Sequence, residues 1–313
     1  MSLETFVRKL PKTELHLHLE GAVDASTFVE LADSHNVALP AHNDPTSLFK
    51  FDDLPSFLRV YDLVCASMRT AADFRRTTFE ALERCALGGA RYVELFFSPH
   101  AHLAHGVAYA TMLEGILAGF ETAEVLYGVK ANLIPAHSRE LGPQQGEAFL
   151  DMVLAERIPE VVGIGLDYNE APFPPAPFAR MFARARDAGL NVTAHAGESG
   201  PSENVRDSID ILNVSRIDHG YHVIDDAAPD HAIRRMIEAG LNVTIHSDDP
   251  TMFGTTLDHE YLLVARHFGL SPAALKAMVL AGVESSWLEK VTKQVMIAEW
   301  SAEIDRLMVT ELA

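Results

Sequence analysis

Seven short apolar runs, rich in β-branched residues, alternate with amphipathic segments along the 313-residue chain, and this alternation limits the fold more than any other feature. Each run has the length of a strand, and each intervening segment has the length of a helix. Repeated strand–helix units predict an α/β fold with a parallel sheet closed or nearly closed by helices, as in a (β/α)₈ barrel. The runs are ELHLHLEG, RYVELFFSP, VKANLIPAHSR, VVGIGLDYNE, LNVTAHAGES, SRIDHGYHV and LNVTIHSDDP.

No Gly/Ser-rich linker, low-complexity tract or change of composition marks a domain boundary in the sequence. Single α/β barrels routinely reach this length. We therefore expect residues 1–313 to form one catalytic barrel domain.

Two of the units are near copies, AGLNVTAHAGES from Ala188 and AGLNVTIHSDDP from Ala239. In each copy a helix ending at glycine, Gly189 or Gly240, leads into a Leu-Asn-Val-Thr-x-His strand and then into polar residues. Polar chemistry thus begins where the strand stops. In a barrel the loops after the strands converge at one rim, so we expect the active site there.

The charge and cysteine content exclude several classes of protein. With 44 acidic and 25 basic residues the formal charge is −19, which disfavours nucleic acid and membrane surfaces as partners. The N-terminus lacks the apolar core of a signal peptide, and no apolar run approaches the roughly 20 residues that span a bilayer, so we expect a cytoplasmic protein. Only Cys65 and Cys85 are present, so a bound metal needs histidine and carboxylate ligands.

Four predicted strand ends carry candidate metal ligands. Each residue alone also fits a structural role, as a core histidine, a turn-forming acid or part of a solvated strand face. A parallel barrel brings all of these ends to one rim, where imidazoles and a carboxylate suit a divalent cation, most simply Zn²⁺ with an open position for water. The candidates are His16 and His18, His195, His219, and Asp248 with Asp249.

Two further features are open to alternative interpretations. Glu198, three residues after His195, is either a charge at a helix N-terminus or a proton donor beside the metal, with a pKa raised by burial among other acids. The histidines of SPHAHLAH, between His100 and His105, are either a second metal site or solvated surface, and we favour the surface because no nearby carboxylate completes a ligand set.

The motifs HLHLEG, HAGE, RIDHG and SDDP, in this order, resemble the adenosine/adenine deaminase family of the amidohydrolase superfamily, and most closely its adenine deaminase branch. The resemblance extends from about Leu10 to Leu288. It implies one Zn²⁺ per chain. A site with two metal ions usually needs a bridging lysine or carboxylate at the end of a middle strand, whereas Lys130 lies near the start of its strand and should face the opposite rim. The resemblance implies that the ligands are His16, His18, His195 and Asp248, that Glu198 protonates purine N1, that His219 orients and deprotonates the attacking water, and that Asp249 contacts N7.

The same resemblance bears on the substrate. Glu20 stands where adenosine deaminases typically carry an aspartate that meets the ribose hydroxyl, and Glu170 stands where they carry a glycine near N3. Glu170 either accepts a hydrogen bond from the N9–H of free adenine or merely caps its loop. We expect adenine to be converted to hypoxanthine and ammonia. The alternatives are adenosine, a larger adenine derivative, hydrolysis of a cyclic amide, and a binding barrel without activity; oligomeric state is not predicted.

One departure from the family pattern concerns the barrel itself. Between His219 and Asp248 there is room for about one helix, whereas eight strands require another strand and helix there, near IDDAAPDH. Either the barrel is open with seven strands, or a stretch of polypeptide is missing from the printed sequence. We favour the missing stretch, because an open edge exposes unpaired backbone groups, and we expect a chain break between Asp226 and Ala227.

Overall fold

The computed structural model describes residues 2–223 and 232–312. Six parallel strands form one sheet in the order β1-β2-β3-β4-β5-β6, curled into a nearly closed barrel. The strands are β1 (Lys12–His18), β2 (Ala90–Phe97), β3 (Lys130–Ser138), β4 (Gly163–Asp167), β5 (Asn191–Ala196) and β6 (Arg216–His219).

Helices follow each strand and surround the sheet. They are α1 (Leu3–Lys9), α2 (Ala25–Ser34), α3 (Leu54–Ser67), α4 (Ala71–Leu87), α5 (Pro99–Leu103), α6 (Tyr109–Tyr127), α7 (Gly142–Ala155), α8 (Ala179–Asp187), α9 (Ser202–Asp210), α10 (Ile233–Glu238), α11 (Pro250–Phe253), α12 (Leu257–Phe268), α13 (Pro272–Ser285) and α14 (Lys290–Leu312). In the described ranges no helix is both long and apolar enough to span a membrane.

The first strand shows why the fold was predictable. All seven residues of β1 are buried, because helices cover the outer face of the sheet and the barrel encloses the inner face. Its alternation separates a leucine face from a histidine face, as the sequence predicts. The chain leaves the strand at His18 and turns through a short 3₁₀ segment, Glu20–Ala22.

The barrel closes toward β1 through Asp248. The Asp248 N–H donates to the His16 carbonyl, and the His18 N–H donates to the Asp248 carbonyl, both at 2.9 Å. This parallel bridge pairs Leu17 with Asp248. The carboxyl ends of β1, β5 and β6 and the Asp248 position therefore meet at one rim.

The prediction of a last strand at LNVTIHSDDP is wrong. Residues 241–247 have no strand structure, and only the single bridge at Asp248 pairs with β1. Between them and β6 lies a cavity of about 460 Å³, lined by apolar side chains that include Ile217, Val243 and Ile245. We call this cavity the slot. It lies where the sequence lacks a strand and helix. The expected break between residues 226 and 227 lies outside the described residues and stays a prediction.

Helix α3 covers the rim of the barrel beside the site. It begins with a capping box, in which the Asp53 carboxylate accepts from the Ser56 N–H at 2.8 Å, and Pro55 occupies its first turn. Phe57 of α3 stacks on Phe253, with ring centroids 5.4 Å apart. Helix α3 thus forms an apolar wall over the strand ends.

Candidate active site

Three imidazole nitrogens and one carboxylate oxygen converge at the rim. The Nε2 atom of His16 lies 3.3 Å from Nε2 of both His18 and His195, and the last two are 3.1 Å apart. Asp248 Oδ1 lies 3.2 Å from His16 Nε2 and 3.5 Å from His18 Nε2. The four ligands that the resemblance implies are therefore brought together.

This arrangement fits a single metal ion. Ligand atoms bound at about 2.0–2.2 Å to one tetrahedral centre lie about 3.3–3.6 Å from one another, close to the spacings observed here. Three ring nitrogens that face each other also cannot all carry protons and donate to one another, whereas all three can donate lone pairs to a cation. The set of three histidines and one aspartate suits Zn²⁺.

His219, at the end of β6, lies beside this group. Its ring centroid is 4.7 Å from those of His16 and His195, and its Nε2 has no hydrogen-bond partner. That nitrogen is 3.6 Å from Glu198 Oε2. Burial lowers the pKa of His219 to about 4, so the imidazole is neutral at pH 7 and free to accept a proton.

Two acids in the same pocket have raised pKa values. Burial, reinforced by the charge of Asp248, raises the pKa of Glu198 to about 7. Burial, with the charges of Asp248 and Glu198, raises the pKa of Asp249 well above its ordinary value. Both groups are thus able to donate hydrogen bonds or protons at neutral pH.

Local backbone geometry places these groups. Tyr168, His219 and Asp248 have positive φ angles of 67°, 72° and 59°, which turn the chain sharply at three strand ends. Gly21 leaves room for Asp249, since a β-carbon at residue 21 would lie 1.6 Å from Asp249 Oδ1. The glycine of HLEG is therefore a requirement of the site that sequence reasoning missed.

Two buried carboxylates position the ligands. Asp218 Oδ2 lies 3.3 Å from His195 Nδ1 and accepts from the Thr193 hydroxyl at 2.9 Å. Glu14 accepts from the Ser247 hydroxyl at 2.7 Å and from the Ser247 N–H at 3.2 Å. Such contacts fix the orientation of metal ligands. Sequence analysis assigned no role to either acid.

Glu170 does not take the position expected of a purine-binding acid. It is fully buried, and its two oxygens accept from the N–H groups of residues 197–200 and from Asn204 Nδ2, at 2.8 to 3.2 Å. Five donors saturate the carboxylate, so no lone pair is left for purine N9–H. The structure supports the alternative, a carboxylate that holds the loop carrying Glu198.

Glu20 is likewise committed to protein partners. It is fully buried, and it accepts from the Ser98 N–H at 3.0 Å, from His102 Nε2 at 2.8 Å and from the Tyr61 hydroxyl at 2.9 Å. The expectation of direct contact with substrate is therefore corrected to a supporting role beneath Tyr61 and Ser98. The surface interpretation of the histidine cluster is wrong for His102, which is buried against this acid.

The residues discussed above surround one pocket, which is closed on its outer side by α3. Sequence analysis missed Asp167 and Tyr168, at the end of β4, as part of this pocket. Its lining consists of His18, Leu54, Phe57, Leu58, Tyr61, Asp167, Tyr168, His195, Glu198, His219, Asp248 and Asp249.

Comparison with known proteins gives consistent matches. The adenosine deaminase family model matches residues 11–229 and 227–302, two segments that meet where a strand and helix are expected to be missing. The adenine deaminase of Sphingopyxis alaskensis is 35% identical, covering 92% of this chain and 93% of that protein. That alignment has 318 positions, whereas 92% of 313 residues is about 288, so about 30 positions have no counterpart here.

Two solved structures share the fold along nearly the whole chain. The adenine deaminase from Arthrobacter aurescens is 32% identical with a TM-score of 0.88, covering 95% of this chain and 99% of that one. An amidohydrolase from Burkholderia ambifaria with bound Zn is 32% identical with a TM-score of 0.92, covering 99% of this chain and 95% of that one.

A parallel barrel that gathers three histidines and an aspartate at the carboxyl ends of its strands defines a metal-dependent hydrolase of the amidohydrolase kind. Within that class, the chain belongs to the adenosine deaminase family.

Proposed function

We propose that this protein, acting as one catalytic domain over residues 1–313 with one Zn²⁺ per chain, hydrolyses adenine to hypoxanthine and ammonia. The observation that carries the proposal is the pocket in which the converging metal-ligand atoms lie beside two acids with raised pKa values, Glu198 and Asp249. The Sphingopyxis alaskensis relative and the Arthrobacter aurescens structure are both named adenine deaminases, which favours the free base as substrate.

His16, His18, His195 and Asp248 would hold the metal. When bound there, Zn²⁺ supplies Lewis-acid chemistry and an activated water nucleophile at neutral pH. Asp218 keeps His195 oriented and Glu14 keeps the Asp248 segment against β1, so the ligand set is already assembled in the folded chain.

Glu198 acts as the proton donor to purine N1. With its pKa near 7, the carboxyl carries a transferable proton at neutral pH. Protonation at N1 withdraws electrons from C6, so the oxygen of water adds to C6 and makes this carbon tetrahedral while the water proton passes to His219. That proton then moves to the exocyclic amino group, the C6–N bond breaks and ammonia leaves, and the remaining hydroxyl proton returns to the Glu198 carboxylate to give the 6-oxopurine. The glutamate position depends on Glu170, which holds the loop of residues 197–200 by its N–H groups.

His219 accepts the proton of the attacking water, because its neutral Nε2 has no other partner. Asp249, protonated, donates a hydrogen bond to N7 and fixes the orientation of the ring. N1, N7 and the attacking water thus each have one partner able to donate or accept the required proton.

Adenosine is the second candidate substrate, favoured by the family match itself. The kcat/KM values for adenine and adenosine, followed by ultraviolet absorbance, separate the two. Preference for adenosine would overturn the proposed substrate and leave the hydrolytic chemistry intact.

The role of Glu198 is tested by Glu198→Gln. We expect zinc content to be unchanged and kcat to fall by about 10²-fold or more, because the amide cannot protonate N1. Glu203→Gln, an exposed change five residues along the chain, is the matched control. In the wild type, kcat/KM should fall about tenfold per pH unit above about 7, since the acid form of Glu198 is lost there. Wild-type turnover in Glu198→Gln would contradict the assignment.

A further inference from the structure

Free adenine has one N–H donor on its imidazole ring, and the proposed mechanism gives this donor no partner. If Asp249 donates to N7, the imidazole proton of the purine lies on N9, and this N9–H requires a buried acceptor. The inference that follows rests on the proposed function, because it concerns the same bound base.

Four acids line the pocket: Asp167, Glu198, Asp248 and Asp249. Three of them already have a role: Asp248 would bind the metal, Glu198 protonates N1 and Asp249 donates to N7. Asp167 is the fourth, and no step described so far uses it. Neither Glu20 nor Glu170 competes for this role, because the oxygens of both accept hydrogen bonds from the protein.

Asp167 ends β4 and is 2% exposed. Its Oδ2 accepts from the Ser98 hydroxyl at 3.4 Å, while its Oδ1 has no hydrogen-bond partner. Burying a carboxylate oxygen without a partner is costly, so an unpaired oxygen on a pocket wall indicates that a ligand completes it.

The backbone around Asp167 is held firmly. Arg139, fully buried, donates from Nε to the Asp167 carbonyl at 3.2 Å and from Nη2 to the His195 carbonyl at 2.5 Å. It thereby ties the end of β4 to the strand that carries a metal ligand. Ser98, in turn, is fixed through its N–H to Glu20. The acceptor is therefore preorganised relative to the reaction centre.

We propose that Asp167 Oδ1 accepts the hydrogen bond from N9–H and makes Asp167 the residue that selects the free base over N9-substituted purines. A substituent on N9 removes the donor and leaves the buried oxygen unpaired, and it also meets the pocket wall. Loss of this single hydrogen bond should change kcat/KM by about 10- to 100-fold.

The test compares adenine with 9-methyladenine, which lacks the N9–H. In Asp167→Ala and in Asp167→Leu, which fills more of the vacated space, kcat/KM for adenine should fall by about 10- to 100-fold while that for 9-methyladenine stays constant or rises. Asp167→Asn, whose amide oxygen remains an acceptor, should recover part of the adenine activity. Asp187→Asn, an exposed change at the end of α8, should alter neither substrate.

An equal fall for both substrates, or no change for adenine, would overturn the proposal, since a purely structural role affects both alike. Calorimetric binding of adenine and 9-methyladenine to the zinc-loaded wild type tests it without any variant: equal affinities would also overturn it. A wild type that binds adenine in preference to 9-methyladenine but does not deaminate it would refute the proposed function and leave the role of Asp167 standing.

Discussion

Residues 190–196 and 241–247 carry the same Leu-Asn-Val-Thr-x-His pattern after the same glycine turn, yet only the first region forms a strand. Gly189 and Gly240 both have φ of 77°. Strand β5 pairs with β4 and β6, whereas the second region faces β1 on one side and the slot on the other. Equal sequence propensity thus gives different structure, because a strand requires a neighbour.

The two regions also differ in how deeply their leucines are buried. Leu190 is 3% exposed, whereas its counterpart Leu241 is 47% exposed. Both regions nevertheless deliver site residues, His195 from the first and Asp248 from the second. The second region does so through contacts with β1: the Glu14 carboxylate accepts from the Ser247 hydroxyl, and the Leu15 N–H donates to His246 Nδ1 at 3.1 Å. Contacts with one strand replace the missing sheet.

The largest expected difference is in hydrogen exchange. In the part of the chain that the structure describes, no backbone acceptor faces the N–H groups of residues 242–246, so their exchange should be about 10³-fold faster than that of residues 192–195. Mass spectrometry of peptic fragments measures both regions in one sample.

An insertion gives the matched experiment. A strand and helix of about 30 residues, taken from the corresponding region of the Sphingopyxis alaskensis relative and placed between residues 223 and 232, should fill the slot and slow exchange of residues 242–246 toward that of β5. Slow exchange of both regions before the insertion would show that the second region already has a neighbour.

Truncating the paired leucines compares their packing. Leu190→Ala should lower the free energy of unfolding by about 2–4 kcal/mol, because it opens a cavity in the core. Leu241→Ala should cost less than about 1 kcal/mol, since the side chain is half exposed. Urea denaturation measures both, and equal losses would mean that residue 241 is buried in solution.

Gly21→Ala tests whether the position of Asp249, which follows the second region, depends on the turn after β1. The added methyl would overlap Asp249, so the acid must move, and kcat/KM for adenine should fall by about 10²-fold with the fold retained. Gly88→Ala is the control, because a β-carbon there meets nothing closer than 3.4 Å. Unchanged activity in Gly21→Ala would mean that the position of Asp249 is not needed for turnover.

Strand periodicity and the order of elements were sufficient to predict the barrel and the convergence of histidines and aspartates at one rim. These follow from local pattern together with the rule that parallel strand ends share one edge. The resemblance to the family then implied which of them are the ligands, namely His16, His18, His195 and Asp248. The roles of Glu170 and Asp167 did not follow, because each depends on which oxygens are already occupied by groups distant in sequence. The resemblance placed residue 170 near purine N3, but only the contacts of loop 197–200 reveal the task of the glutamate found there.

The failure of the last predicted strand has a similar cause. Val243, Thr244 and Ile245 have high strand propensity, but propensity measures how well a side chain fits a pleated, half-buried surface, and that surface is incomplete beside the slot. The short interval between His219 and Asp248 was the signal in the sequence. It indicated the missing unit, and its consequence for the neighbouring segment is seen only in three dimensions.

The smallest expected effects concern the residues that orient the two ligands. Ser247→Ala removes the hydroxyl contact with Glu14 and should lower zinc affinity by about tenfold, because this is the shortest contact that holds the segment before Asp248 to β1. Thr193→Val removes the hydroxyl contact with Asp218, but His195 stays paired with β6 and its carbonyl still accepts from Arg139, so we expect only about a threefold loss. Competition with a chromophoric chelator measures both affinities. If Thr193→Val lowered zinc affinity as much as Ser247→Ala, strand pairing would support a metal ligand no better than the single bridge at Asp248 does. Side-chain contacts alone would then set the geometry of the site.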